Sequence, residues 1–463
     1  MRRKITEALE KWGRNPNGVC LLVKGARQVG KTYAIEEFAS RRYRYYLRLD
    51  FINNPDSIKL FEGSLEFETL LARITSAHPE FKAVKGESIL FLDEIQRCPE
   101  AKTAIKPLVN SGKLDVIASG SLLGVQYSGI KSEPVGYVHE MELRSMDFEE
   151  FMWAMGFSGS FIESLRNSIR KKEPLDPVVL DNLNAYLRNY IAVGGMPKAV
   201  EEFSRTHSYS GVASAQKDIT DGYITDILSY TPKNIREPAR RTFLSIPRQL
   251  GARNNRFRFT EVEDRKKVGI REYEDPIQWL KDAGVAQICR NLSEIAQPLK
   301  ERASESIFKI YMKDTGLLVH MLESDSGGGV RSEIVSGSGW INIGPIMENE
   351  IAEMLTKNGH DVFYYEKKGK SELDFIISLG GKLAAIEVKS GRHTESRSMI
   401  KAKQENSGVS RWIMFEPGNI RTDENGIEHY PLFCAAFMDC IYDEPPASAD
   451  LPPPMRFPDS PSV

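Results

Sequence analysis

The 463-residue sequence predicts an α/β chain of several domains, on three observations. Short apolar runs alternate with helix-length amphipathic stretches over the first 120 or so residues: GVCLLV (18–23), YYLRL (45–49), SILFL (88–92) and LDVIA (114–118). From about Phe148 the runs stop, and segments such as LDNLNAYLRNYI carry apolar residues three and four apart. Past Phe308 the α/β alternation returns.

The first pattern is that of a parallel sheet covered by helices on both faces, because strands buried on both sides read as unbroken apolar runs. It gives an α/β domain over 1–150, followed by a helical unit over 151–215. Residues 216–305 read as helix, turn, helix and a short β-wing after Gly284, the order of a winged helix. A second α/β domain follows over 306–443, and the tail 444–463, EPPASADLPPPMRFPDSPSV, is too rich in proline to pack.

Apolar content of 41% and charged content of 27% are those of a globular chain, which excludes a fibrous repeat. The five cysteines are scattered and none has zinc-ligand spacing, which argues against both a disulfide framework and a zinc site. The basic start MRRKITEALEKW leads into an amphipathic helix, and no apolar run approaches ~18 residues. The expectation is a cytoplasmic protein with no membrane partner.

GARQVGKT, from Gly25 to Thr32, fits G-x-x-x-x-G-K-[ST], follows the strand CLLVK and opens the helix TYAIEEFA. Gly25 and Gly30 let the backbone wrap a polyphosphate, with the amides of Ala26, Arg27, Gln28 and Val29 turned inward and a helix N-terminus behind them. Lys31 would reach the β- and γ-phosphates of ATP, and Thr32 would place its hydroxyl on Mg²⁺. SILFLDEIQ then supplies a buried strand ending in two carboxylates. Asp93 would hold Mg²⁺ through its water shell and Glu94 would orient and deprotonate the attacking water. At the end of the next strand Ser119 and Ser121 are placed to sense the γ-phosphate, or serve as small turn residues.

In the second α/β domain LDFII (373–377) and LAAIEV (383–388) flank Gly380-Gly381, a two-residue hairpin turn. That turn sets Asp374 opposite Glu387 and Glu372 opposite Lys389, and side chains two apart share a face, so all four meet. Opposed carboxylates ~5 Å apart repel, so a cation is expected between them. Mg²⁺ is the natural candidate, with Asp374 and Glu387 as ligands, Lys389 near the attacking water and Glu348 of GPIMENEIAEML as a further ligand. The alternative is a dead scaffold in which Lys389 neutralises the acids. His393 reads as a loop residue.

Between Lys233 and Arg271 lie twelve Lys or Arg against four Glu or Asp, in a chain of net charge −2. Arg240, Arg241, Arg248, Arg253, Arg256, Arg258, Arg265, Lys266, Lys267 and Arg271 suit phosphate contacts to DNA, which position a protein without reading bases. A solvated helix face, or a surface docked on acidic parts of the same chain, is the alternative.

GARQVGKT, FLDEIQ, SGSLLG, MDFEEF, GGMPKAV, FKIYMKDTGLL, MENE, ELDF and IEVKSG occur in that order. Together they resemble the prokaryotic AAA-like ATPases that carry the C-terminal domain of unknown function 4143, from about Lys4 to Asp443. The resemblance implies an AAA-type core, a helical lid, a winged helix and a restriction-endonuclease-like C-terminal domain. In that superfamily's E, D, ExK order the matching residues are Glu348, Asp374, Glu387 and Lys389. Many relatives have Gly-Arg where this chain has Gly136-Tyr137, and that arginine is a candidate finger for transition-state charge. Arg97, or a neighbouring subunit of a homo-oligomer, is the other source.

Overall fold

The computed structural model describes residues 1–16, 18–121, 136–251, 255–262, 270–338, 342–367, 372–391 and 397–442. Five parallel strands form the first sheet: β1 (Cys20–Gly25), β2 (Tyr45–Asp50), β3 (Ser88–Asp93), β4 (Asp115–Ser121) and β5 (Val138–Glu142), in the order β2-β3-β4-β1-β5. Side chains alternate between two separate cores. Leu21, Val23, Ile89, Phe91 and Ile117 face one, while Cys20, Leu22, Leu90, Leu92, Val116 and Ala118 face the other. Each buried Leu or Ile contributes about 1.5–3 kcal/mol of transfer free energy, so neither face can be left open. The edge strand β5, VHEME, has a largely exposed, polar pattern and carries no apolar run to read.

Helices follow at Phe148–Ala154, Gly159–Lys171, Pro177–Val193, Pro197–Thr206, Tyr209–Tyr230 and Arg236–Leu250. The first opens with a capping box between Asp147 and Glu150, and the third has Asp176 capping two amides ahead of Pro177. A helix over Ile270–Asp282 leads to the antiparallel pair β6 (Ala286–Leu292) and β7 (Ala303–Met312).

Where a short β-wing is expected after Gly284, the antiparallel pair is built into the second sheet: β6 pairs parallel with β8 (Phe363–Glu366) through Arg290 and Asn291. A boundary between residues 305 and 306 therefore cuts β7 near its start. The pair carries buried apolar residues on both faces, Cys289 on one and Ile310 and Met312 on the other, as a strand pair inside a covered sheet does. The rest of the sheet comprises β9 (Glu372–Leu379), β10 (Lys382–Val388), β11 (Val409–Glu416), β12 (Arg421–Thr422) and β13 (Glu428–Pro431), in the order β12-β13-β11-β10-β9-β8-β6-β7. The β9–β10 hairpin turns at Gly380 and Gly381, with φ of 52° and 79°, the two positive values that a tight right-twisted hairpin requires.

The three parts meet at a junction of glycines and buried charge. Gly195 donates its amide to Asp314 Oδ2 (2.9 Å), and a Cβ on Gly195 would lie 2.0 Å from Met146 O. Thr315 donates to Glu353, and Lys357 bonds Met146 O (2.8 Å), Tyr190 Oη (3.0 Å) and Glu353. GGMPKAV and DTGLL are thus two halves of one contact.

Candidate functional site

The strand order places the ends of β1, β3 and β4 side by side, and the loops beyond them share one edge of the sheet. Gly25 ends β1, and a Cβ there would lie 2.2 Å from Leu143 O, so the tight passage admits only glycine. Gln28 and Gly30 take positive φ (66° and 92°), and Gly30 caps the helix Lys31–Arg42. Lys31 is 5% exposed and turns its ammonium back onto Gly25 O (3.1 Å) and Ala26 O (2.9 Å). Burial lowers its pKa, against the opposing pull of Glu94, Asp93 and Asp226. Arg27 reaches away to Asp226, at 2.6 Å.

Asp93 is 1% exposed and gathers the neighbouring strands. Its oxygens accept from Thr32 Oγ1 (3.2 and 3.3 Å), from Ser119 Oγ and from Arg48 of β2 (Nε 2.9 Å). Arg48 also pairs with Asp50 (2.6 Å) and Glu36 (2.9 Å). Ser119 Oγ accepts from the amide of Glu94 (3.1 Å), so one serine ties both acids of the β3 end to β4. Glu94 sits in the left-handed region (φ 57°, ψ 49°), a conformation costing about 1–3 kcal/mol for a residue with a side chain. Its carboxylate accepts from Gln96 Nε2 (2.6 Å), which also meets Ser121 Oγ (3.2 Å).

These residues fit a magnesium-bound triphosphate. The loop has the backbone freedom to wrap it, and a buried ammonium is hydrogen-bonded to the loop's own carbonyls, with carboxylates acting on it only through space. One hydroxyl and one buried carboxylate face each other, a pair that could hold a metal. Arg48 was not legible as a site residue, since YYLRL reads as one apolar strand; its signal is a lone arginine inside such a run. Tyr137, where an arginine finger was sought, accepts from Cys20 N (2.8 Å) and its ring meets Lys106, away from these residues. Arg97 bonds Tyr230 Oη and stacks on its ring at 4.7 Å.

In the second sheet the hairpin ladder runs to the pair Ile386–Phe375, next to Asp374 and Glu387, which act on each other electrostatically. Asp374 Oδ2 accepts from Val388 N (2.8 Å), and Glu387 pairs with Lys389. Burial raises the pKa of Asp374 well above the usual carboxylate range, and Glu387 and Glu348 push it the same way; burial raises Glu387 too, against Lys389. Glu348 is engaged otherwise: it accepts from Lys309 Nζ (2.7 Å), from Tyr311 Oη and from Asn255 (2.8 Å). Lys309, 1% exposed, also lies 3.7 Å from Glu372. A cation among the carboxylates is present, and it belongs to β7. Among the described residues no group of three or more His, Cys, Asp or Glu is arranged to hold a metal ion. Lys309 and Tyr311 were missed because FKIYMKD reads as an ordinary strand; the signal is a lysine and a tyrosine two apart among apolar neighbours.

In the basic segment Arg240 and Arg241 pair with Glu237, Arg248 with Glu261 (3.8 Å) and Arg256 with Glu366 (2.6 Å). Arg253, Arg265, Lys266, Lys267, His393 and the tail 444–463 lie outside the described residues. Among the described residues no helix is long and apolar enough to cross a membrane.

Three family models match. Residues 17–152 match the AAA domain, 184–327 a domain of unknown function (DUF8612) and 343–433 a second domain of unknown function (DUF4143). No curated protein matches. Similar solved structures include the Walker-type ATPase PABY2304 of Pyrococcus abyssi, 13% identical, covering 69% of this chain and 95% of its own with a TM-score of 0.41. AMPPCP-bound DnaA from Aquifex aeolicus is 14% identical, covers 60% of this chain and 86% of its own, and has a TM-score of 0.28. Drosophila ORC bound to DNA is 14% identical, covers 70% and 95%, and has a TM-score of 0.27.

Proposed function

Taking as premise that the chain is a P-loop AAA-like ATPase with a C-terminal domain of unknown function 4143, we propose that it binds and hydrolyses Mg²⁺-bound ATP at Gly25–Thr32 and couples that event to its C-terminal domain. The observation that carries this reading is the convergence of Lys31, Thr32, Asp93, Glu94 and Ser119 from three neighbouring strand ends. Lys31 leaves its own carbonyls for the phosphates, and the loop amides bind their oxygens. Thr32 and Asp93 would hold Mg²⁺, which neutralises phosphate charge when bound. Glu94 orients water and takes its proton, while Ser119 keeps Glu94 and Asp93 in register.

The C-terminal domain acts, in this reading, on nucleic acid as a nuclease in which Asp374 and Glu387 would hold a metal, Glu348 would join them only on leaving Lys309, and Lys389 would face the water or phosphate. The basic residues of 233–271 contact DNA phosphates. A second reading is favoured by the Lys309–Glu348 pair: an internal ammonium replaces the metal, and the domain binds a partner without cutting it while ATP sets the interaction state. A nuclease panel on the full chain and on Asp374→Ala, with Mg²⁺ or Mn²⁺ and with ATP or a slow analogue, separates the two. Cleavage lost in the variant supports the first. No cleavage of any DNA or RNA form, with nucleotide-dependent change in size retained, supports the second.

A further inference from the structure

Helix Tyr209–Tyr230 presents one face to the nucleotide site. Gly222 lies beside Gln28, where a Cβ would stand 3.4 Å from Nε2; Tyr223 Oη meets Arg27 O (3.4 Å); Asp226 pairs with Arg27 (2.6 Å); Tyr230 holds Arg97. Residues 222, 223, 226 and 230 recur at helical spacing, so this is one face laid across both the P-loop and the turn after β3. Asp226 is the acid on it. It is 9% exposed and acts electrostatically on Lys31 and Glu94 as well as on Arg27. A carboxylate so placed presents to the P-loop cations what a phosphate would present: a buried anion with two acceptor oxygens.

We propose that Asp226 is an affinity-setting residue of the nucleotide site, a carboxylate that holds Arg27 in the absence of nucleotide and is displaced from it by the phosphates of ATP. This rests on the ATP-binding reading above. Two anions then compete for one guanidinium, so part of the binding energy of ATP goes into releasing Asp226. The release reaches further, because the same helix packs on Arg236–Leu250 and Thr315–Ser326, and its Gln216 bonds Ala192 O (3.2 Å) and Val193 O (2.9 Å) next to the Gly194–Gly195 junction. Release of Asp226 is thereby felt along the helix as far as the Gly194–Gly195 junction.

The test is a titration of the full chain with a fluorescent ATP analogue and Mg²⁺, for wild type, Asp226→Asn and Asp226→Glu, with hydrogen exchange along helix 209–230. Asp226→Asn is expected to bind about tenfold more tightly, the scale of one partly buried like-charge contact, and Asp226→Glu to bind like wild type. Nucleotide should speed exchange in the helix of the wild type, and the Asn variant should exchange fast without it. Equal or weaker binding by a folded Asp226→Asn overturns the proposal while leaving the ATP site standing. Binding by neither protein overturns both, and binding by the Asn variant alone supports the proposal.

Discussion

Replacing Gly194 by alanine tests the junction that joins the ATP-binding part to the C-terminal sheet. The added Cβ would lie 2.2 Å from Asp314 Oδ1 and 2.9 Å from Gly316 Cα. The backbone, at φ 76° and ψ −174°, occupies a region that is nearly exclusive to glycine, at about 1–3 kcal/mol for any other residue. Relieving the clash moves Asp314 off the Gly195 amide, at about 1.5–3 kcal/mol for a hydrogen bond to a charged group. Together the loss is about 2.5–6 kcal/mol. Thermal unfolding should fall by about 3–6 °C, with faster thermolysin cleavage between residues 193 and 316. Gly156→Ala is the control: it has positive φ (91°) but nothing within 4 Å of the added carbon, so it should lose only about 1 kcal/mol. Equal effects of the two substitutions would refute the reasoning from close packing.

Arg48→Ala removes a guanidinium from buried Asp93 and should destabilise the nucleotide-free protein by about 3–5 kcal/mol, with Mg²⁺-ATP restoring more stability than it adds to wild type; differential scanning fluorimetry with and without nucleotide reads this. Lys309→Met leaves Glu348 with a buried, poorly compensated charge and should cost a similar amount, about 3–5 kcal/mol, in chemical denaturation. Asp374→Asn should raise stability at neutral pH. The carboxyl's folded pKa is raised, so its contribution is most favourable below the unfolded value of about 4 and is lost as pH rises toward the folded one. Melting curves of wild type and variant should therefore converge at acid pH and separate above it, and a constant gap would contradict the assignment.

What was legible in the sequence follows from burial. Strands β1 to β4 announce themselves because both faces are covered, and Gly380-Gly381 because two positive φ values leave little choice but glycine. Strand β5 was silent for the opposite reason: an edge strand needs no apolar run. The P-loop spacing and the acid pair of β3 are local patterns, so they were readable. Arg48, Lys309 and Asp226 were not, because each acts on a residue far along the chain. Asp226 meets Arg27 across 199 positions and Lys309 meets Glu348 across 39. The interlock of Gly194-Gly195 with Asp314 is of the same kind; a motif names such residues, and only the fold says what they touch.

Equilibrium binding of Mg²⁺-ATP to the full chain and to Lys31→Ala, measured by calorimetry, tests most directly whether the loop, its lysine and the acids of β3 make one triphosphate site. The account predicts saturable one-site binding by the wild type and a loss of about 10–100-fold or more in the variant, the weight of one or two charge-assisted hydrogen bonds. Binding of equal strength by a folded Lys31→Ala protein would contradict it.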